Sequence, residues 1–120
     1  MIALIENNIQ AIRDVCKKHH VRSLYLIGST TRPDHFNDSS DIDLLYRFRK
    51  EDIPEMDYAD NYFDLLFTLQ DMLGRKVDLV AEEKMRNPFF IKSIDRDKQL
   101  IYANNNVQAA AFYFRPYTFY

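Results

Sequence analysis

The sequence predicts a single α/β (α+β) domain in which helices cover a small mixed β-sheet, on two observations. Short apolar runs with strand character alternate with amphipathic stretches, in the order helix, strand, turn, strand, helix, strand, helix, strand. The 120 residues are 47% hydrophobic, enough for one core and leaving no room for a separate substrate domain.

Each element follows from its own pattern. Ile2, Ile5, Ile9, Ile12 and Cys16 recur at spacings of three and four, which predicts one amphipathic helix to about Lys18 with Cys16 as core filler. His19 and His20 close it beside Lys17 and Lys18, where positive charge suits the helix dipole, and neither has zinc-ligand spacing. Val21 to Ile27 is the first strand, apolar enough in its second half for burial on both faces. Ser29 to about Pro33 is a short helical turn, and Asp34 to Ser40 is a polar loop in which Asp34, His35 and Asp38 are expected to be solvated.

Ile42 to Phe48 is the second strand, followed by a charged connection from Arg49 to Pro54. Asp57 is placed to cap a helix over Tyr58 to Leu73 that buries Tyr62, Leu65, Leu66, Leu69, Met72 and Leu73 and ends at Gly74. Lys76 to Val80 is strand-like. Asn87-Pro88 opens a third helix carrying Phe89, Phe90, Ile91 and Ile94; Asp95 to Lys98 is a turn and Gln99 to Tyr102 a final strand. The domain is thus expected over residues 1–104. In the tail, 105–120, six of the nine residues from Phe112 to Tyr120 are aromatic, so it is expected to pack on its own domain or form an interface, in a homodimer or on a partner.

A formal charge of −2 provides no basic footprint for a phosphate backbone, which argues against nucleic acid as the main partner. With one cysteine, no apolar run near the ~20 residues of a membrane span and no signal-peptide pattern at the start, the expectation is no membrane association and a reducing cytoplasm.

The residues that carry chemistry lie in three places. The run Leu24-Tyr25-Leu26-Ile27 stops at Gly28-Ser29, a strand end turning where backbone N–H groups and a hydroxyl are free to meet phosphate. In Asp41-Ile42-Asp43 a period of two sets both carboxylates on one face, a repulsive pair unless water or a cation lies between them; Mg²⁺ suits such oxygen ligands. Asp78 interrupts the apolar run Val77-Asp78-Leu79-Val80 with a charge that needs a partner, and a neighbouring second strand would let it converge with Asp41 and Asp43.

Gly28-Ser29, Asp41-x-Asp43 and Asp78 together resemble the Gly-Ser…Asp-x-Asp…Asp pattern of the DNA polymerase beta-like nucleotidyltransferases. The short chain resembles in particular the minimal nucleotidyltransferases (MNT domains), over roughly residues 20 to 102. The chain departs from the pattern at Pro33, where the family usually has glycine after the arginine matched by Arg32, and in a loop to Asp41 one residue longer than the commonest spacing.

The resemblance implies the polymerase beta-like fold and an enzyme. Asp41, Asp43 and Asp78 would be both catalytic and metal-binding, holding two Mg²⁺ ions, and Gly28, Ser29 and Arg32 would bind the phosphates of ATP. It implies transfer of AMP to a hydroxyl of a partner protein, as the antitoxin paired with a HEPN-type toxin. The alternatives are an aminoglycoside-type small-molecule transferase and a non-catalytic antitoxin that blocks its partner sterically.

Overall fold

Four strands form one mixed sheet in a computed structural model that describes residues 1–104; the tail readings for 105–120 lie outside the described residues. The strands are β1 (Val21–Leu26), β2 (Ile42–Phe48), β3 (Val77–Ala81) and β4 (Gln99–Ala103), in the order β3-β2-β1-β4. β1 is antiparallel to β2 and β4, whereas β2 and β3 run parallel and are joined across the sheet by a helix, the connection a parallel pair requires. The helices are α1 (Ala3–Glu6), α2 (Ile9–Lys18), α3 (Tyr58–Leu73) and α4 (Pro88–Asp97).

The two faces of the sheet are unequal. Leu24, Leu26, Leu44 and Ile101 join Ile12 and Cys16 of α2 and Leu65 and Leu69 of α3 in the main core, while Ile27, Leu45 and Ile94 of α4 form a small cluster of their own. Alternation along β2 explains the division, since Leu44 and Leu45 point to opposite faces and both are buried. Cys16 is fully buried, and burial pushes its thiol up to about 12, so it is a small hydrophobe and not a nucleophile.

Three expectations need correction and a fourth, that His19 closes the helix, holds and is extended. The first helix is broken between Glu6 and Ile9, because the Asn8 side chain donates to the Leu4 carbonyl and ends the turn there. Asp57 precedes α3 without a side-chain cap bond. The segment assigned to a turn at Asp95 continues α4 to Asp97, and Phe89 and Phe90 of that helix are exposed, leaving Ile94 as its buried residue. His19 does more than close α2: it is buried, its Nδ1 lies 2.8 Å from the Val15 carbonyl and its Nε2 2.5 Å from Asp64, and its own carbonyl accepts from Asn61. It fastens α2 to α3.

The cap at Asn87 forms as expected, its side chain accepting from the Phe89 and Phe90 amides. Gly74 ends α3 at φ +64° with nothing within 4 Å of where a Cβ would stand. Only the left-handed backbone opposes a side chain there. Gly74→Ala is therefore expected to cost about 1 kcal/mol in urea unfolding and Gly74→Asn less, with no change in core packing; equal stability for all three would show that the residue is not held left-handed in solution.

Candidate active site

Strand direction brings the three marked segments to one end of the sheet. β1 runs antiparallel to β2, so the turn after its last residue lies beside the start of β2; β3 runs parallel to β2 and starts there too. Gly28-Ser29 follows β1, Asp41 and Asp43 straddle the first residue of β2, and Asp78 is the second residue of β3. The register pairs Asp43 directly with Asp78, so the third carboxylate is the cross-strand neighbour of the second.

Gly28 adopts φ +69° and opens a 3₁₀ turn over Gly28–Thr31. A Cβ on Gly28 would lie 2.9 Å from the Asp43 Oδ2, so a side chain there would push the carboxylate aside, and the left-handed backbone favours glycine in its own right. The Ile27 amide donates to the Asp43 carbonyl at 3.0 Å, tying the turn to β2. Two buried residues not singled out from the sequence hold the turn from within. Thr30 donates to the Ile27 carbonyl, and Thr31 to the Gly28 carbonyl at 2.7 Å. The signal for them was present, since consecutive hydroxyls after a glycine are apt to bond back to the preceding carbonyls.

Pro33 is accommodated without loss. It is the first residue of a second 3₁₀ turn, Pro33–His35, where a missing N–H costs nothing. Arg32, expected at the phosphates, is exposed and lines the cleft, with Nη2 3.4 Å from Asp97 Oδ2 on α4. The longer loop to Asp41 is pinned by Arg75, another residue without an assigned role in the sequence: its Nη1 donates to the Asn37 and Ser40 carbonyls at 2.8 and 2.9 Å, and its guanidinium lies over the Phe36 ring. Asp34, His35 and Asp38 are exposed as expected.

A cleft of about 820 Å³ opens at this end of the sheet. Gly28, Ser29, Arg32, Asp43, Lys76 and Asp78 are among its polar lining, and Tyr62 and Leu66 of α3 with Phe90 and Ile94 of α4 among its apolar lining, on either side of the edge strand β3. Burial, then the neighbouring Asp78 and Asp41 charges, raise the Asp43 carboxyl above the usual range, with a hydrogen bond to the Asp78 side chain acting in the same direction. Asp41 is set slightly apart, its Oδ2 3.8 Å from Lys76 Nζ.

The donor set fits a hard cation. Asp43 and Asp78 offer carboxylate oxygens at one point and repel each other without a positive charge, and Mg²⁺ binds through one or two protein carboxylates while keeping waters and phosphate oxygens for the rest of its octahedron. No three acidic, histidine or cysteine side chains among the described residues are gathered closely enough to enclose an ion. The structure thus brings two of the three aspartates together and leaves Asp41 beside them, paired to a lysine.

Residues 10–107 match the family model described as polymerase beta, nucleotidyltransferase. "Putative protein adenylyltransferase MJ0128" of Methanocaldococcus jannaschii is 37% identical over 102 residues, 78% of this chain and 96% of that protein. Among solved structures, one described as "putative minimal nucleotidyltransferase" superposes with a TM-score of 0.63 at 25% identity, over 82% of this chain and 95% of that one. A structure of tri-AMPylated Shewanella oneidensis HEPN toxin in complex with MNT antitoxin gives 0.56 at 16%, over 88% and 77%, a likeness of fold. No helix among the described residues is long and apolar enough to cross a membrane.

A consequence of the carboxylate pair can be measured without any ligand. Because folding raises the proton affinity of Asp43, the stability linked to this group is complete below the unfolded-state value and is lost as pH rises through the folded-state value. At about pH 7, in chelator, Asp43→Asn is therefore expected to stabilise the chain by about 1 kcal/mol, the figure for a charge pair still open to water. The gain should shrink as pH falls toward about 4, the ordinary aspartate range. Thermal melts in which the Asp43→Asn variant is less stable than wild type across that range would mean that burial and the neighbouring charges do not raise Asp43.

Proposed function

The chain belongs to the polymerase beta nucleotidyltransferase family, and from that premise we propose that it is a metal-dependent adenylyltransferase that moves AMP from ATP to a hydroxyl side chain of a partner protein. The observation that carries the reading is that the Asp43–Asp78 pair and the Gly28-Ser29 turn line one cleft. A carboxylate pair and a phosphate turn within one cleft are what attack on the α phosphorus of a nucleoside triphosphate needs. The M. jannaschii relative, named for protein adenylyl transfer, supports AMP and a protein acceptor. The toxin–antitoxin neighbour, in which a HEPN toxin is AMPylated, supports a HEPN-type partner with this chain as its antitoxin.

Asp43 and Asp78, joined by Asp41, would hold Mg²⁺, two ions in the full site. Bound there, the metal supplies charge neutralisation for the triphosphate and a lower pKa for the acceptor hydroxyl. The chain's own part is positioning. The amides and hydroxyl at Gly28 and Ser29 face the β and γ phosphates, held in place by Thr30 and Thr31, and Arg32 joins them after leaving Asp97. The acceptor oxygen forms its bond to the α phosphorus, the α–β phosphoanhydride breaks, and pyrophosphate leaves in line. The hydroxyl proton passes to Asp78, the exposed member of the pair.

Incubation of the chain with ATP, Mg²⁺ and the product of the adjacent gene is expected to add one or more AMP units to that product by intact mass. Asp43→Asn should lower the rate at least 100-fold while leaving the complex intact. If wild type and Asp43→Asn silence the partner equally with no mass change, the protein acts by steric blockade; AMP found on a small hydroxylated compound instead would make it a small-molecule transferase.

A further inference from the structure

The parallel register that sets Asp43 opposite Asp78 also decides what stands opposite Asp41. Ile42 pairs with Val77 and the Ile42 amide donates to the Lys76 carbonyl, so Asp41 and Lys76 are the residues one step ahead of the two strands. With a side-chain period of two, Asp41 and Asp43 share a face of β2's line, and Lys76 and Asp78 the same face of β3's. The site is therefore two rungs, one of opposite charge at Asp41–Lys76 and one of like charge at Asp43–Asp78.

We propose that Lys76 is the resident counter-cation of this carboxylate group, holding Asp41 until a divalent ion displaces it and draws the third carboxylate in. The inference rests on the reading of Asp41, Asp43 and Asp78 as metal ligands. Three observations carry it. Lys76 Nζ lies 3.8 Å from Asp41 Oδ2, too long for a tight pair, and the two side chains are 68% and 42% exposed, so the contact exchanges readily with solvent. The ammonium also acts on Asp43, opposing the two aspartates that raise it, so its charge reaches the second rung as well as the first.

The other lysine and arginine side chains near the cleft are engaged elsewhere: Arg75 with the Asn37 and Ser40 carbonyls, Arg32 with Asp97 and Lys98 with Asp95. Lys76 lines the cleft, and on its flexible stem it remains beside the bound anion once displaced. Lys76 would thus make the metal-free site tolerable and set how tightly a bare divalent ion can bind before nucleotide arrives.

The test is Mn²⁺ binding to the whole chain without nucleotide, followed by the electron paramagnetic resonance signal of free Mn²⁺, for wild type, Lys76→Met, Lys76→Arg and Asp43→Asn. Lys76→Met is expected to bind Mn²⁺ about three- to tenfold more tightly than wild type at low salt, with the difference shrinking at about 0.5 M salt. Lys76→Arg should stay within about twofold of wild type. Lys76 is exposed, so these variants should keep the fold, as circular dichroism will verify. Unchanged or weaker Mn²⁺ binding by Lys76→Met, with binding still lost in Asp43→Asn, overturns the role of Lys76 and leaves metal ligation standing. Absence of any Asp43-dependent Mn²⁺ binding in wild type and Lys76→Met overturns both.

Discussion

The parallel pairing of β2 with β3, in the one register that sets Asp43 against Asp78, is the constraint on which the rest of the structure depends. A slip of one residue would turn Asp78 to the opposite face and place Val77 or Leu79 beside the carboxylate. The register is held by burial on both faces of β2, where Ile42, Leu44, Leu45 and Phe48 are all within a core, and by Val77 at the head of β3. The Gln70 side chain, accepting from the Val77 amide, ties that head to α3. Because a parallel pair needs a crossover, the helix that makes the connection also supplies the apolar wall of the cleft, through Tyr62 and Leu66.

The remaining parts of the site serve to bring unfavourable groups close. Like charges on neighbouring strands, an exposed turn with a left-handed residue and a polar loop are set together, and the turn and the loop are each braced by side chains from nearby. Thr30 and Thr31 brace the turn, Arg75 braces the loop before Asp41, and the large core between the sheet and α2 and α3 provides the stability that the charged end lacks. Gly28 shows how tight the fit is, since a Cβ there would press on the Asp43 carboxylate.

Much of this was legible in the chain because it depends on local pattern. β2 runs from Ile42 to Phe48 and α3 from Tyr58 to Leu73 as the periodicity indicates, and Gly74 and Asn87 stand at the ends where their chemistry suits them. The failures are also local in origin but were decided by competition. Asn8 commits its side chain to a backbone carbonyl and splits a helix whose apolar spacing is unbroken, and Phe89 and Phe90 carry an apolar signal that no neighbouring element covers among the described residues.

The sequence by itself determined the inventory: a glycine turn, three aspartates, the strands that bear them and the family to which that combination belongs. Only the tertiary structure decided their relations. That Asp43 meets Asp78 while Asp41 meets Lys76, that Arg32 turns to Asp97, and that His19 joins two helices are matters of which segments lie side by side, separated by 35 to 65 positions in the chain in these pairings. Periodicity along a strand specifies the face a residue points to, but pairing partner and register follow from burying β2 on both faces at once, a condition that no single segment carries.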